Sequence, residues 1–149
     1  MLGELIALED LIEPAGDVRT CHRDLWAENL RRTVGGTLCV IDWDNCGLAG
    51  PGQEVAVALF EFSCGDADRA HALYREYRLC GGPGRVARPG DFSMAIAQLG
   101  HITELSCRRW LDPATSQTER DRQAARFAEG ANDPLTRRVI DELLDAILA

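Results

Sequence analysis

Apolar positions recur at helical spacing over most of this chain. Residues 3–13 set Leu5, Ile6, Leu8, Leu11 and Ile12 among Glu4, Glu9, Asp10 and Glu13. That spacing predicts a short amphipathic helix, closed by Pro14 and Gly16. Val55, Ala56, Ala58, Leu59, Phe60 and Phe62 predict a helix apolar almost all round, which belongs in a core. Asp66 or Asp68 caps a helix over about 67–80, with Ala70, Leu73, Tyr74 and Tyr77 on one face and Arg69, Arg75, Glu76 and Arg78 on the other. Phe92, Ile96, Leu99, Ile102, Leu105 and Trp110 predict a longer helix, capped by Asp91 and stopped by Pro113. Residues 117–130 are heavily charged, with Ala124, Phe127 and Ala128 as a thin apolar face, and predict a solvated surface helix. Asn132-Asp133-Pro134 starts the last helix, whose stripe is Leu135, Val139, Leu143 and Ile147 with Ile140, Leu144 and Leu148 beside it.

One stretch breaks this rhythm. Leu30 to Ile41 reads as a β-hairpin that turns at Gly35-Gly36, a pair suited to a two-residue turn with positive φ. A hairpin brings its ends together, so Asn29 and Asp42 face one small volume with Asp24 beside it. Gly47 to Gly52 is glycine-rich but lacks the Lys and Ser/Thr of a phosphate-binding loop, and reads as a turn into the next helix, whose start Glu54 caps or charges. Residues 81–90 read as a flexible surface loop. The fold class is mainly α with a small β-hairpin.

Composition narrows the classes. A length of 149 residues suits one domain or a single lobe of a larger one. The formal charge of −8 argues against a nucleic-acid partner and is compatible with a cationic substrate. The six cysteines show no Cys-x-x-Cys pair and no metal-ligand spacing to His, so they read as small buried hydrophobes in a reducing compartment. Early acids and no basic n-region lead us to expect no signal peptide, and no apolar run approaches bilayer length. A soluble, cytoplasmic protein with no membrane partner is the expectation.

The chemistry is concentrated in residues 22–44. His22-Arg23-Asp24-Leu25 with Asn29 fits the H-R-D-L-x-x-x-N pattern, and Val40-Ile41-Asp42-Trp43-Asp44 places a second carboxylate at a strand end. Phosphoryl transfer uses such a trio: one carboxylate orients and deprotonates the acceptor hydroxyl, while an amide oxygen and another carboxylate hold magnesium on the nucleotide phosphates. With Ile41-Asp42-Trp43-Asp44 in place of D-F-G, and Gly47 and Gly50-Pro51 downstream, the chain resembles the aminoglycoside phosphotransferase and choline kinase group, small-molecule kinases built like protein kinases. Two positions depart from that pattern. Arg23 stands at the family's usual Gly, and Glu54 at its usual Asp.

The resemblance implies the helical carboxy-terminal lobe of a protein-kinase-like fold. The catalytic loop and metal-binding hairpin fall in 19–54, and the helical subdomain in 55–149. Asp24 is the catalytic residue that orients the hydroxyl, and Asn29 and Asp42 are the Mg2+ ligands. His22 buttresses the loop, Trp26 anchors it, and Asp44 is a supporting partner or a further metal contact. ATP or GTP is the phosphoryl donor, and the acceptor is a small-molecule hydroxyl. The amino-terminal lobe of such kinases, with its phosphate-pairing Lys, has no counterpart, and the sequence contains no Lys at all. The expectation is a fragment of a full kinase, half of a split kinase whose amino-terminal lobe is a separate chain, or a non-catalytic pseudokinase-like binding module. In each case the isolated chain is weak or inactive as an enzyme.

Overall fold

The computed structural model describes residues 2–132 and 134–149. Asp133, which the sequence places at the start of the last helix, lies outside them, as do the side chains of Leu5 and Glu129. The described chain is mainly α-helical with two small antiparallel ribbons. Strand β1 (Arg19–Cys21) pairs with β4 (Gly47–Ala49), Cys21 opposite Gly47. Strand β2 (Leu30–Arg32) pairs with β3 (Leu38–Val40), Leu30 opposite Val40. The second ribbon is nested within the first along the chain. The connections 22–29 and 41–46 therefore run side by side between the two ribbons.

The hairpin turn differs from the sequence expectation. Only Gly36 has positive φ, at 86°. The turn spans Thr33–Thr37, closed by Thr33 N–H on the Thr37 carbonyl (2.8 Å) and Gly36 N–H on the Thr33 carbonyl (2.9 Å). This is a longer loop with a left-handed glycine at its last position, and such a turn needs one glycine rather than two. Much of the ribbon surface is uncovered, and Val34, Leu38, Trp43 and Leu48 are exposed.

The helical body is built around α2 (Pro51–Ser63), which starts with Pro51 in its first turn and ends at the left-handed Cys64. It buries Val55, Ala56, Val57 and Leu59. Helices α3 (Ala67–Leu79) and α4 (Ser93–Leu111) pack on it, α5 (Gln117–Asn132) packs on α4, and α6 (Arg137–Leu148) packs on α3. Phe92, Ile96, Leu135, Ile140, Leu143 and Leu144 complete the core. Among the described residues no helix is long and apolar enough to cross a membrane.

Several boundaries move. The first helix, α1 (Leu2–Ala7), is short, and a separate 3-10 turn at Glu9–Leu11 follows it, with Leu8 buried at the break. Asp66, not Asp68, caps α3, accepting from Arg69 N–H at 3.0 Å. Asp91 does not cap α4. It lies in a preceding 3-10 turn and accepts from Ala87 and Arg88 N–H, closing its own turn instead. The last helix starts at Arg137, where Thr136 accepts from Val139 N–H. Pro134 stands in the connection before it.

The stretch 81–90 is held rather than merely draped on the surface. Tyr74 Oη accepts from Val86 N–H (3.0 Å), Tyr77 Oη accepts from Gly84 N–H (2.8 Å), and Val86 is buried. Gly52 lets the start of α2 lie against this stretch, because a β-carbon there would collide with the Arg85 carbonyl. The cysteines also differ from expectation. All are free, and only Cys21 is buried; Cys39, Cys46, Cys64 and Cys80 are exposed. These four sit on or beside the ribbons or at helix ends, away from the core.

Leu59, fully buried on α2, sets the expected scale of core energetics. Leu59→Ala lowers the free energy of unfolding by about 2–5 kcal/mol in a denaturant titration, whereas Leu111→Ala, at a position 70% exposed, changes it by about 0.5 kcal/mol or less.

Candidate active site

The loop 22–29 leaves β1 without joining a ladder. His22 is buried and donates from Nε2 to the Ile41 carbonyl at 2.9 Å, tying this loop to the end of β3. A carbonyl oxygen only accepts, so this bond places a proton on Nε2. The His22 and Trp43 rings meet in a T-shaped arrangement, with centroids 4.6 Å apart and planes inclined at 69°. Trp26 packs against the helical core. The next 3-10 turn, Ala27–Asn29, delivers Asn29 directly into β2.

Asp24 and Asn29 are in contact. Asn29 Nδ2 donates to the Asp24 carbonyl (2.8 Å) and to Asp24 Oδ2 (3.3 Å). Asn45 Nδ2 reaches the same Oδ2 at 3.4 Å. Two amides therefore converge on one carboxylate oxygen, leaving Asp24 Oδ1 outside these bonds. Asn29 spends its donor on Asp24, so its Oδ1 remains as an acceptor.

Asp42 is brought in through the backbone. Ile41 N–H donates to the Asn29 carbonyl at 2.9 Å, one step beyond the β2–β3 ladder. The next residue, Asp42, adopts φ 62° and ψ 62°, and this left-handed kink turns the chain out of β3 into the 3-10 turn Trp43–Asn45. Asp44 lies in that turn and is exposed; among the described residues it forms no hydrogen bond or ion pair. Arg23, immediately before Asp24, is also left-handed, at φ 65°. Non-glycine residues in this region carry backbone strain and concentrate where surrounding contacts over-determine them.

Those contacts come from the helices. Glu54 Oε1 accepts from Arg23 N–H at 2.6 Å, so Glu54 grips the loop besides adding negative charge to the first turn of α2. Glu61, two turns further along the same face of α2, accepts from Ala27 N–H at 3.0 Å. Gln98, on α4, donates to the Arg23 carbonyl at 2.6 Å. Asn45, Glu61 and Gln98 are not among the residues that the sequence motifs single out. Asn45 had a signal, being next to the Ile41–Asp44 motif, and Glu61 had one in its helical spacing from Glu54. Gln98 had none.

Residues 2–88 match the family model APH, described as the phosphotransferase enzyme family. The chain belongs to that family. No curated protein and no solved structure matches it. The match takes in both ribbons, the loop 22–29 and helices α2 and α3, so Asp24 and the two amides that bond its carboxylate, Asn29 and Asn45, lie within the matched segment.

One titratable group near the loop departs from its ordinary range. Burial foremost, and then the Glu54 carboxylate through its charge and a hydrogen bond, push the Cys21 thiol from 9.0 up to about 11, against an opposing pull from Arg23. The folded state thus holds this thiol protonated where the unfolded chain ionises. The resulting stability is fully present below pH 9, falls as pH rises from 9, and is gone by about 11. Urea midpoints of wild type and Cys21→Ala measured between pH 8 and 11 are expected to show the wild type losing stability more steeply above pH 9; parallel curves would refute the buried thiol.

Proposed function

We propose that this phosphotransferase-family chain is the helical carboxy-terminal lobe of a protein-kinase-like fold and transfers the γ-phosphoryl of ATP or GTP to a small-molecule hydroxyl. In this reading residues 19–54 form the catalytic and metal-binding segment and 55–149 the helical subdomain. The observation that carries it is the direct contact of Asp24 with Asn29, with Asp42 joined to them through the Ile41–Asn29 backbone bond. Asp24 Oδ1 takes the proton of the acceptor hydroxyl, while the two amides on Oδ2 hold the carboxylate in orientation. His22 supports the loop from behind.

Asn29 Oδ1 and the exposed Asp42 carboxylate fit Mg2+, which prefers oxygen ligands and keeps several waters. Among the described residues no group of three or more His, Cys, Asp or Glu gathers around one point, so phosphates and water would supply the remaining ligands. Bound there, Mg2+ would neutralise charge on the phosphates. Asp44 serves as a supporting or additional contact. The acidic balance of the chain favours a cationic acceptor. The exposed apolar side chains of the ribbons, Leu38, Trp43 and Leu48, offer a seat for a nucleotide-binding lobe, including one from a separate chain.

One observation favours a second reading, a non-catalytic binding module or half of a split kinase: the sequence has no Lys to pair with nucleotide phosphates. A thermal-shift titration with Mg2+ and ATP separates the two. The catalytic reading expects a magnesium-dependent rise in Tm that Asp42→Ala abolishes and Asp24→Asn preserves. It also expects phosphoryl transfer by the isolated chain well below the usual kinase range of about 1–100 per second. A folded wild type with no shift at millimolar ATP would sink it.

A further inference from the structure

We propose that Gln98 is a positioning residue: it holds the left-handed peptide of Arg23, and through it the direction of Asp24. This role rests on the reading of Asp24 as the group that orients the acceptor. Arg23 has φ 65°, a conformation that residues with a β-carbon adopt only at a cost in free energy. It is gripped on both of its backbone polar groups. The N–H donates to Glu54 Oε1 and the carbonyl accepts from Gln98 Nε2, each at 2.6 Å. The two grips come from α2 and α4, which pack against each other. A peptide pinned at both ends by two mutually packed helices cannot relax to the extended region without breaking a hydrogen bond.

The Gln98 amide is committed to this task. Its Oε1 is buried and has no hydrogen-bond partner among the described residues, while its NH2 is placed on the Arg23 carbonyl. A side chain selected only to fill space would avoid that cost by being apolar. The opposite amide orientation would set two carbonyl oxygens against each other, so the donor assignment follows. Gln98 lies beyond residues 2–88, and the contact spans 75 positions in sequence. The body of helices α4–α6 thereby acts on a loop whose own motif does not include it.

Backbone hydrogen exchange on the full chain tests this, using wild type, Gln98→Leu, the near-isosteric Gln98→Glu, and Gln98→Leu combined with Arg23→Gly. Loss of one hydrogen bond to the loop is expected to speed exchange of amides 23–29 about tenfold in both single variants, with α2 and α3 unchanged. Glycine adopts positive φ without steric cost, so adding Arg23→Gly is expected to return the loop to within about threefold of wild type. Wherever transfer is measurable, kcat falls in the single variants while KM for nucleotide holds. Unchanged loop exchange, a rise spread evenly over the helices, or no rescue by Arg23→Gly would each overturn the proposal. Gln98→Glu keeps size and shape, so it carries the test if Gln98→Leu does not fold. The exchange readout needs no nucleotide. Failure of wild type to bind Mg2+ and ATP therefore removes the assigned role of Asp24, while a rescued loop still supports Gln98 as the hold on Arg23.

Discussion

A loop that leaves a β-ladder must still satisfy its backbone N–H and C=O groups, and residues 22–29 do so partly by local turns and partly by borrowing side chains from helices. Glu54 and Glu61 on α2 accept from Arg23 and Ala27, and Gln98 on α4 donates to Arg23. The same helix α2 buries Val55, Ala56 and Leu59 in the centre of the body. One side of α2 is thus anchored by apolar burial and another is spent on the loop. The position of the Asp24 carboxylate is inherited from the packing of the core.

Strain and restraint occur together. Arg23 and Asp42, both left-handed, lie on the two connections that meet between the ribbons, and the His22–Ile41 and Ile41–Asn29 bonds lie between them. Without those bonds each residue would relax toward ordinary backbone angles. With them, Asp24 and Asn29 are in direct contact, and Asp42 follows the residue that bonds the Asn29 backbone, on two short ribbons that would be marginal alone. Electrostatics follow the same geometry. The Glu54 carboxylate that holds Arg23 N–H also disfavours ionisation of the buried Cys21 thiol beside it.

Much of this was legible before the fold was known, for reasons that differ by element. The apolar stripe of α6 and the apolar run of α2 follow from periodicity, which records burial directly. The hairpin expectation brings the two ends of the β2–β3 ribbon together, and the Ile41–Asn29 backbone bond is that meeting. The errors share a cause, competition between local signals of similar strength. Asp91 precedes a helix and looks like its cap, yet the turn behind it offers two unpaired N–H groups that it reaches instead. Pro134 looks like a helix start, but Thr136 provides the cap that is used. The stretch 81–90 reads as loose because Gly and Pro dominate it. Two tyrosine hydroxyls from α3 hold it, and a sequence does not announce where such hydroxyls point.

By itself, then, the sequence determined the helical class, the core faces of α2 and α6, and membership of a phosphotransferase family. Those are properties of residue type and short-range spacing, and backbone periodicity translates them into structure without reference to anything distant. Only the tertiary structure decided how Asp24 is aimed. Asn45 reaches it across the gap between two connections, and Glu61 and Gln98 hold its loop from helices whose approach depends on how the whole body packs. Side-chain contacts across 75 positions leave no periodic trace, because each needs only one suitable residue at one point in space.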